Sequence, residues 1–416
     1  MAIPSLESPR ITFLREELKN GHSEALEAFW REIEEKGAPL IEPAGEEGYS
    51  LLTFVWRERE ETHNVVIIGG PISVFEIKKG QMADLEGTDL WYKTFEVRND
   101  LRNVYQLSPN DALTPLEEEE DWQERSKTFQ PDPLNPRVYT FQDDPEDPDL
   151  ADYRASILEL PGAPPQEWIE PGAGVARGDV RMERFKSAIL ENERRVWIYT
   201  PPDYSPEHEP YGLLLIFDGL ASVELIPTPI ILDNLYAAGL LPPMVAVIPD
   251  SLLNDVRMRE MAYYEPFVDF LTQELLPWVH ERYHVTADPT RTIISGSSLG
   301  GLAAAFAALR RPDIFGNVLS QSGAFWRGKD EEESEWLARQ YALSPRVPVR
   351  FYLEAGLLER GGTVDLLASN RHMRNVLEAK GYEVHYSEFN GGHTYVCWRG
   401  SLAQGLLALM GKKNPE

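Results

Sequence analysis

Arg291 to Leu309 reads RTIISGSSLGGLAAAFAAL, and the order of its parts decides the fold. A β-branched apolar run enters Gly296-Ser297-Ser298-Leu299-Gly300, and an alanine-rich run leaves it and stops near Pro312. This is a strand, a tight turn and a helix, with G-x-S-x-G at the turn. Side chains at 296 and 300 would collide with the neighbouring strand and helix, so glycine is required there, and Gly301 serves the same close approach. The start of the helix points backbone N–H groups and the positive end of its dipole at Ser298, where an oxyanion would develop. Ser298 is therefore read as a nucleophile.

The flanks of this stretch repeat its rhythm. RRVWIYTP (194–201), LLLIF (213–217), MVAVI (244–248), VPVRFYLEAG (347–356) and YEVHYSEF (382–389) are short strand-like runs. Amphipathic stretches such as Glu265 to Tyr283 and Leu367 to Gly381 lie between them. Strands alternating with helices imply an α/β domain with a mostly parallel sheet covered on both faces. Together with the elbow this predicts an α/β-hydrolase fold over residues 175–416.

The first part of the chain reads differently. A helical pattern over Ile11 to Lys36 is followed by strand-like runs at 49–60, 63–70, 89–97 and 100–107, each bounded by turn residues. A small all-β, sandwich-like domain is expected over residues 1–150. Its end is an acidic, proline-rich linker: five acidic residues in a row at Glu117 to Asp121, then PDPLNP (131–136) and DDPEDPD (143–149). Such segments bury no core, and the crossing between the halves is expected near residues 125–175.

A serine hydroxyl needs a base within hydrogen-bond reach, and this fold places the acid and then the histidine after the serine. Of the 8 histidines only His372, His385 and His393 follow Ser298. His372 falls in a predicted helix and His385 in a predicted strand, whereas His393 stands in FNGGHTYVCW, a glycine-rich loop after the last strand. His393 is the expected base. For the acid, Glu359 on the loop after Gly356 is favoured, then Asp365, then Glu354, with Asp330 more distant; its task is to orient the imidazole and stabilise the imidazolium. The oxyanion hole is expected from the N–H of Leu299 and one from Gly219 or Leu220 in LLLIFDGLAS.

Composition narrows the partners. With 40 basic against 68 acidic residues the formal charge is −28, which opposes binding to nucleic acid or an anionic membrane surface. The start of the chain lacks the basic head and apolar stretch of a signal peptide, and no 18-residue apolar run follows, so a cytoplasmic protein is expected. The single cysteine, Cys397, has no zinc-site spacing around it and is read as a packing residue. No metal or other cofactor is expected of the protein itself.

Several of these stretches, taken together, resemble the cytoplasmic enterobactin (enterochelin) esterases. They are LLLIFDG (213–219), ISGSSLGGLAAAFAALRRPDIFGNVLSQSGAFW (294–326), YLEAGLLE (352–359), NRHMRNVLEAKGYEV (370–384) and EFNGGHTYVCWRGSLAQGL (388–406). GTDLWYKTFEVRNDLRNVYQL (87–107) is similar to the smaller β domain of that family. The resemblance implies hydrolysis of the trilactone backbone of ferric catecholate siderophores, with iron present only as part of the substrate. It assigns Ser298 and His393 their roles and supports Glu359, while the stretch GGTVD (361–365) keeps Asp365 in play.

A ferric tris-catecholate is anionic and aromatic, so its site should offer cations beside aromatic rings. Candidates on loops after predicted strands are Arg257, Arg259, Trp326, Arg327, Lys329, Trp398 and Arg399. Two other readings stay open at this level: a feruloyl or acetyl carbohydrate esterase, and a non-catalytic siderophore-binding protein.

Overall fold

The computed structural model describes residues 6–115, 118–141, 144, 146, 153–252, 254–329, 334–362 and 364–412. Asp330, Glu117 and most of the 143–149 stretch lie outside the described residues. Where one entrance helix was expected there are two, Pro9–Lys19 and Ala25–Lys36. Gly21, at φ 87°, lies between them, a backbone conformation that ends a right-handed helix.

The strands of the first half form two antiparallel sheets. One runs β1 (Leu40–Pro43), β2 (Tyr49–Arg57), β5 (Leu90–Arg98), β4 (Ala83–Asp84), and the other β3 (Val65–Gly69), β6 (Arg102–Pro109), β8 (Arg154–Glu159), β7 (Val138–Thr140). Leu52 and Phe54 of the first sheet share a buried cluster with Ile67, Tyr105, Leu107 and Leu158 of the second, which is the two-faced core of a sandwich. Strand β8 pairs with β6. It lies beyond residue 150 because ASILEL, despite its flanking prolines, supplies the apolar face that this sheet needs.

The second half is built on one eight-stranded sheet, ordered β16 (Glu383–Phe389), β15 (Arg350–Gly356), β14 (Asn317–Gln321), β13 (Thr292–Ser297), β11 (Gly212–Ile216), β12 (Met244–Pro249), β10 (Asn192–Thr200), β9 (Asp179–Ser187). From β16 to β12 neighbours are parallel; β10 and β9 are antiparallel additions at one edge. Residues of β11, β12 and β13 are buried throughout, as strands covered on both faces must be. One face carries the helix Leu299–Arg310, whose residues Leu299 to Ala308 are all buried; its alanines let it lie close to the sheet. The other carries Tyr395–Met410, which contributes Leu402 and Leu406 to a second core with Ile231 and Leu235.

Strands β13, β14, β15 and β16 are consecutive neighbours and all point the same way. Their C-terminal ends therefore deliver Ser298, Ser322, Glu359 and His393 to one edge of the sheet. The first half touches this edge: Arg102 N–H donates to Asn390 O at 3.0 Å, and Asn390 Nδ2 donates to Asp100 Oδ1 at 2.7 Å.

Candidate active site

Ser298 caps the helix Leu299–Arg310 with φ 57° and ψ −117°, a strained conformation for a residue with a side chain. A Cβ at Gly296 would stand 2.6 Å from the Gly300 carbonyl carbon, and one at Gly301 would stand 2.3 Å from Ser320 Oγ. Those two positions accept glycine alone, which is how the turn closes tightly enough to present Ser298. The backbone is pinned on both sides: Ser298 N–H donates to Gln321 O at 2.8 Å, and Ser298 O accepts from Ala324 N–H at 2.9 Å. The Ser298 hydroxyl is half-buried and makes no hydrogen bond among the described residues, the looser spacing common before substrate binds.

His393 lies on the loop after β16, its side chain 37% exposed, while the Glu359 carboxylate is fully buried. His393 Nδ1 stands 3.3 Å from Glu359 Oε1. Ser322, at φ 50° directly after β14, donates its hydroxyl proton to the same Oε1 at 2.7 Å. Trp398 Nε1–H donates to Ser322 Oγ at 3.0 Å, and the Trp398 ring meets the His393 ring edge to face, centroids 4.7 Å apart. Trp398 thus touches the histidine and, through Ser322, the acid. Glu359 Oε2 is buried without a hydrogen-bond partner among the described residues.

The competing carboxylates are engaged elsewhere. Asp365 is the N-cap of the helix Leu366–Ala379 and accepts from Ala368 N–H at 2.7 Å, so its carboxylate satisfies a helix end rather than an imidazole. Glu354 is buried in β15, accepting from Gln321 Nε2 at 3.0 Å, Ser401 Oγ at 2.5 Å and Tyr352 Oη at 3.0 Å. Burial pushes its carboxyl up to about 7, only partly offset by those donors. His372 and His385 are exposed beside Glu335 and Glu383, which leaves His393 as the histidine at the strand ends.

The expected oxyanion donors occupy helix starts. Leu299 opens the helix after Ser298, and Gly219 and Leu220 open the helix Gly219–Glu224 after β11, where first-turn N–H groups have no intrahelical acceptor. A Cβ at Gly300 would lie 3.4 Å from Asp218 Oδ2 and 3.6 Å from Phe217 Cβ, which is ordinary contact: the collision expected at 300 is not found, because that position faces the turn after β11 across a full van der Waals gap. Gly219 could not carry a side chain, which would fall 2.5 Å from Asp250 Oδ1.

The expected substrate cations are mostly committed to protein partners. Arg257 holds Asp218 in a fork, with Nε to Oδ1 at 2.7 Å and Nη2 to Oδ2 at 2.9 Å. It stands beside the oxyanion turn and braces it. Arg259 is exposed, near Glu260 and over the Tyr264 ring. Lys329 lies over the Trp336 ring at 5.1 Å. Trp326 packs against the core, and Arg327 gives its carbonyl to Tyr263 Oη at 2.7 Å. Arg399 reaches the crossing between the halves, its Nε donating to Gln166 Oε1 at 2.9 Å, and burial holds its pKa below the usual value. Cys397 is free and buried, its thiol pKa pushed up by that burial, and it donates to Arg102 O at 3.3 Å. Ser322, which holds Glu359, and Asp218, which Arg257 holds in the turn after β11, were not among the candidates the sequence offered. Ser322 follows β14 directly and Asp218 follows β11 after Phe217, and each has a positive φ.

Among the described residues no group of three or more His, Cys, Asp or Glu could hold a metal, and no helix is long and apolar enough to cross a membrane.

Comparison with known proteins places this geometry. Residues 51–169 match the model of the enterochelin esterase N-terminal domain, and residues 187–409 match that of putative esterases. The iron(III) enterobactin esterase of Dickeya dadantii is 30% identical over 94% of this chain and 94% of its own. The iron(III) salmochelin esterase of Escherichia coli is 29% identical over 96% and 98%. The ferric enterobactin esterase of Salmonella typhimurium superposes with a TM-score of 0.76 at 28% identity, covering 92% of this chain and 98% of that one. That of Shigella flexneri, crystallised in the presence of enterobactin, gives 0.74 at 28% identity over 92% and 97%. Both halves of the chain take part in these likenesses, and the chain belongs to the iron(III) enterobactin esterase family of ester hydrolases.

Proposed function

We propose that this protein hydrolyses the ester bonds of a ferric catecholate trilactone such as ferric enterobactin, in the cytoplasm, so that the iron is released. The observation that carries this reading is likeness over both halves at once, 94% of this chain and 94% of the Dickeya dadantii enzyme. A carbohydrate esterase is the weaker reading: a xylanase/feruloyl esterase matches 41% of this chain.

Ser298 Oγ attacks a lactone carbonyl while His393 takes its proton and then passes it to the departing serine oxygen of the substrate. The charge that gathers on the carbonyl oxygen is met by the N–H groups of Leu299 and of Gly219 or Leu220. Glu359, held by Ser322, fixes the imidazole and stabilises its protonated form. Water, activated by His393, then releases the acyl group from Ser298. Iron arrives and leaves with the catecholates, and no resident metal takes part in this scheme.

The test is incubation of the wild type and Ser298→Ala with ferric enterobactin and with a feruloyl ester, following products by chromatography. Cleavage of the trilactone by the wild type alone is expected. An intact trilactone after incubation with the wild type would overturn the reading.

A further inference from the structure

A substrate that is anionic must find cations, yet Arg257, Arg399 and Lys329 are occupied by Asp218, Gln166 and the Trp336 ring. Arg360 is different. It directly follows Glu359, its side chain is exposed, and it has no acidic partner among the described residues. Leu367 N–H donates to Glu359 O at 3.0 Å, so the acid loop leaves and returns at one point and Arg360 sits on its projecting part.

The first half of the chain reaches over this loop. A Cβ at Gly361 would lie 3.8 Å from Ser73 Oγ and 4.0 Å from Phe75 Cβ. Next to that contact Val74 and Phe75 stand 44% and 38% exposed. Phe75 therefore presents a ring face to solvent beside the acid loop. Lys78 is exposed without an acidic partner among the described residues, while Lys79 is paired with Glu76. Phe75 and Lys78 also line a cavity of about 310 Å3 with Ile77, Leu113, Pro115 and the Glu76–Lys79 ion pair, in which Lys79 offsets the Glu76 charge and leaves Lys78 in excess.

We infer that Arg360, Phe75 and Lys78 form a docking ledge for an anionic catecholate arm of the substrate, beside the acid loop and built from both halves of the chain. The inference rests on the trilactone reading above and adds the residues that select it. A catecholate offers two adjacent oxygens to the guanidinium fork and a ring face to Phe75. An arm held there anchors the complex beside the acid loop without touching the reacting atoms. The ledge therefore acts on binding and not on the chemical step, which separates it from Ser298, His393 and Glu359.

Titration of the ferric complex onto Ser298→Ala, read by tryptophan fluorescence quenching, tests the ledge without requiring turnover. Adding Arg360→Glu, or Phe75→Ala with Lys78→Glu, should weaken binding at least about tenfold, the loss expected for one charge-assisted contact. Arg31→Glu, an equal charge change on a helix of the first half, should leave the affinity as it was. In the Ser298-intact protein the same ledge variants should raise KM for the ferric complex far more than for a small neutral ester. Unchanged affinity in the ledge variants, an equal loss with Arg31→Glu, equal effects on both esters, or no binding to Ser298→Ala would each overturn the ledge. If binding weakens as expected but the wild type never cleaves the trilactone, the ledge stands and the hydrolytic reading falls.

Discussion

Glu359 and Asp365 share one loop and one chemistry, yet their surroundings give them different work. Glu359 is buried and receives His393 and Ser322; Asp365 is exposed and receives the first turn of a helix. Glu359→Gln should keep the fold and lower kcat on the order of a thousandfold or more, because the imidazole loses the anion that orients and stabilises it. Asp365→Ala should leave kcat alone and cost about 1 kcal/mol of stability, the usual worth of an N-cap. Steady-state kinetics and chemical denaturation of the two variants decide it, and an inactive Asp365→Ala would refute the assignment. Sequence ranked Glu359 ahead of Asp365 but left both open, since both stand in a glycine-rich loop between a strand and a helix and burial and hydrogen-bond partners are not written in the chain order. Ser298 and His393 are singled out by neighbours in the chain: glycines around the serine, a strand before the histidine. Glu354 provides a second test. Its carboxyl is raised from 4.5 to about 7 by burial, so through that window the native chain holds a proton that the unfolded chain has lost. The stability it contributes is complete below the ordinary value and disappears as pH rises through about 7. Glu354→Gln, always neutral, should flatten the decline of the unfolding midpoint between about pH 5 and pH 7; an unchanged slope would show that Glu354 does not titrate there.

At the scale of elements, four adjacent parallel strands do most of the positioning, and what holds the last loop comes from outside their sheet. Asp100 and Arg102 of the first half bond Asn390 through side chain and backbone. A Cβ at Gly391 would fall 2.4 Å from Arg102 O, and one at Gly392 would fall 3.0 Å from Asn103 Nδ2. The loop bearing His393 is thus pressed against β6 with no room for a side chain. Asp100→Ala should loosen it and lower kcat by about tenfold to a hundredfold with KM unchanged, the cost of a small misplacement of a catalytic group. Asp100→Asn, which keeps an acceptor for Asn390 Nδ2, should retain most activity and the low-field proton signal of the His393 Nδ1–Glu359 contact. Equal losses in both variants would mean that the contact does not position His393. Little of this was readable in advance. The elbow, five of the flanking strands and the helix near 367–381 declare themselves by periodicity. β9 does not, because DVRMERFKS is an edge strand with most residues exposed, and β14 does not, because its buried polar residues Asn317, Ser320 and Gln321 hide the apolar run. The contact between the halves depends on residues nearly three hundred positions apart, and no local pattern encodes that.

For the whole molecule the charge of −28 and an anionic substrate pull against each other, and ionic strength separates the two effects. The diffuse acidic surface repels the ferric complex over tens of ångströms, whereas Arg360 and Lys78 attract it only at contact. Raising salt toward 0.1 M shortens the Debye length to about 10 Å and removes the first effect while sparing the second. Near 1 M the length is about 3 Å, and the local attraction weakens as well. The kcat/KM for the ferric complex should therefore rise, pass through a maximum and fall, while that for a neutral ester changes little. In the double variant Arg360→Glu, Lys78→Glu the high-salt fall should vanish, because there is no longer an attraction to screen, and the rise at low salt should steepen. A profile that only falls from the lowest salt would mean that local cations dominate throughout, and that the acidic surface has no hold on how the substrate arrives.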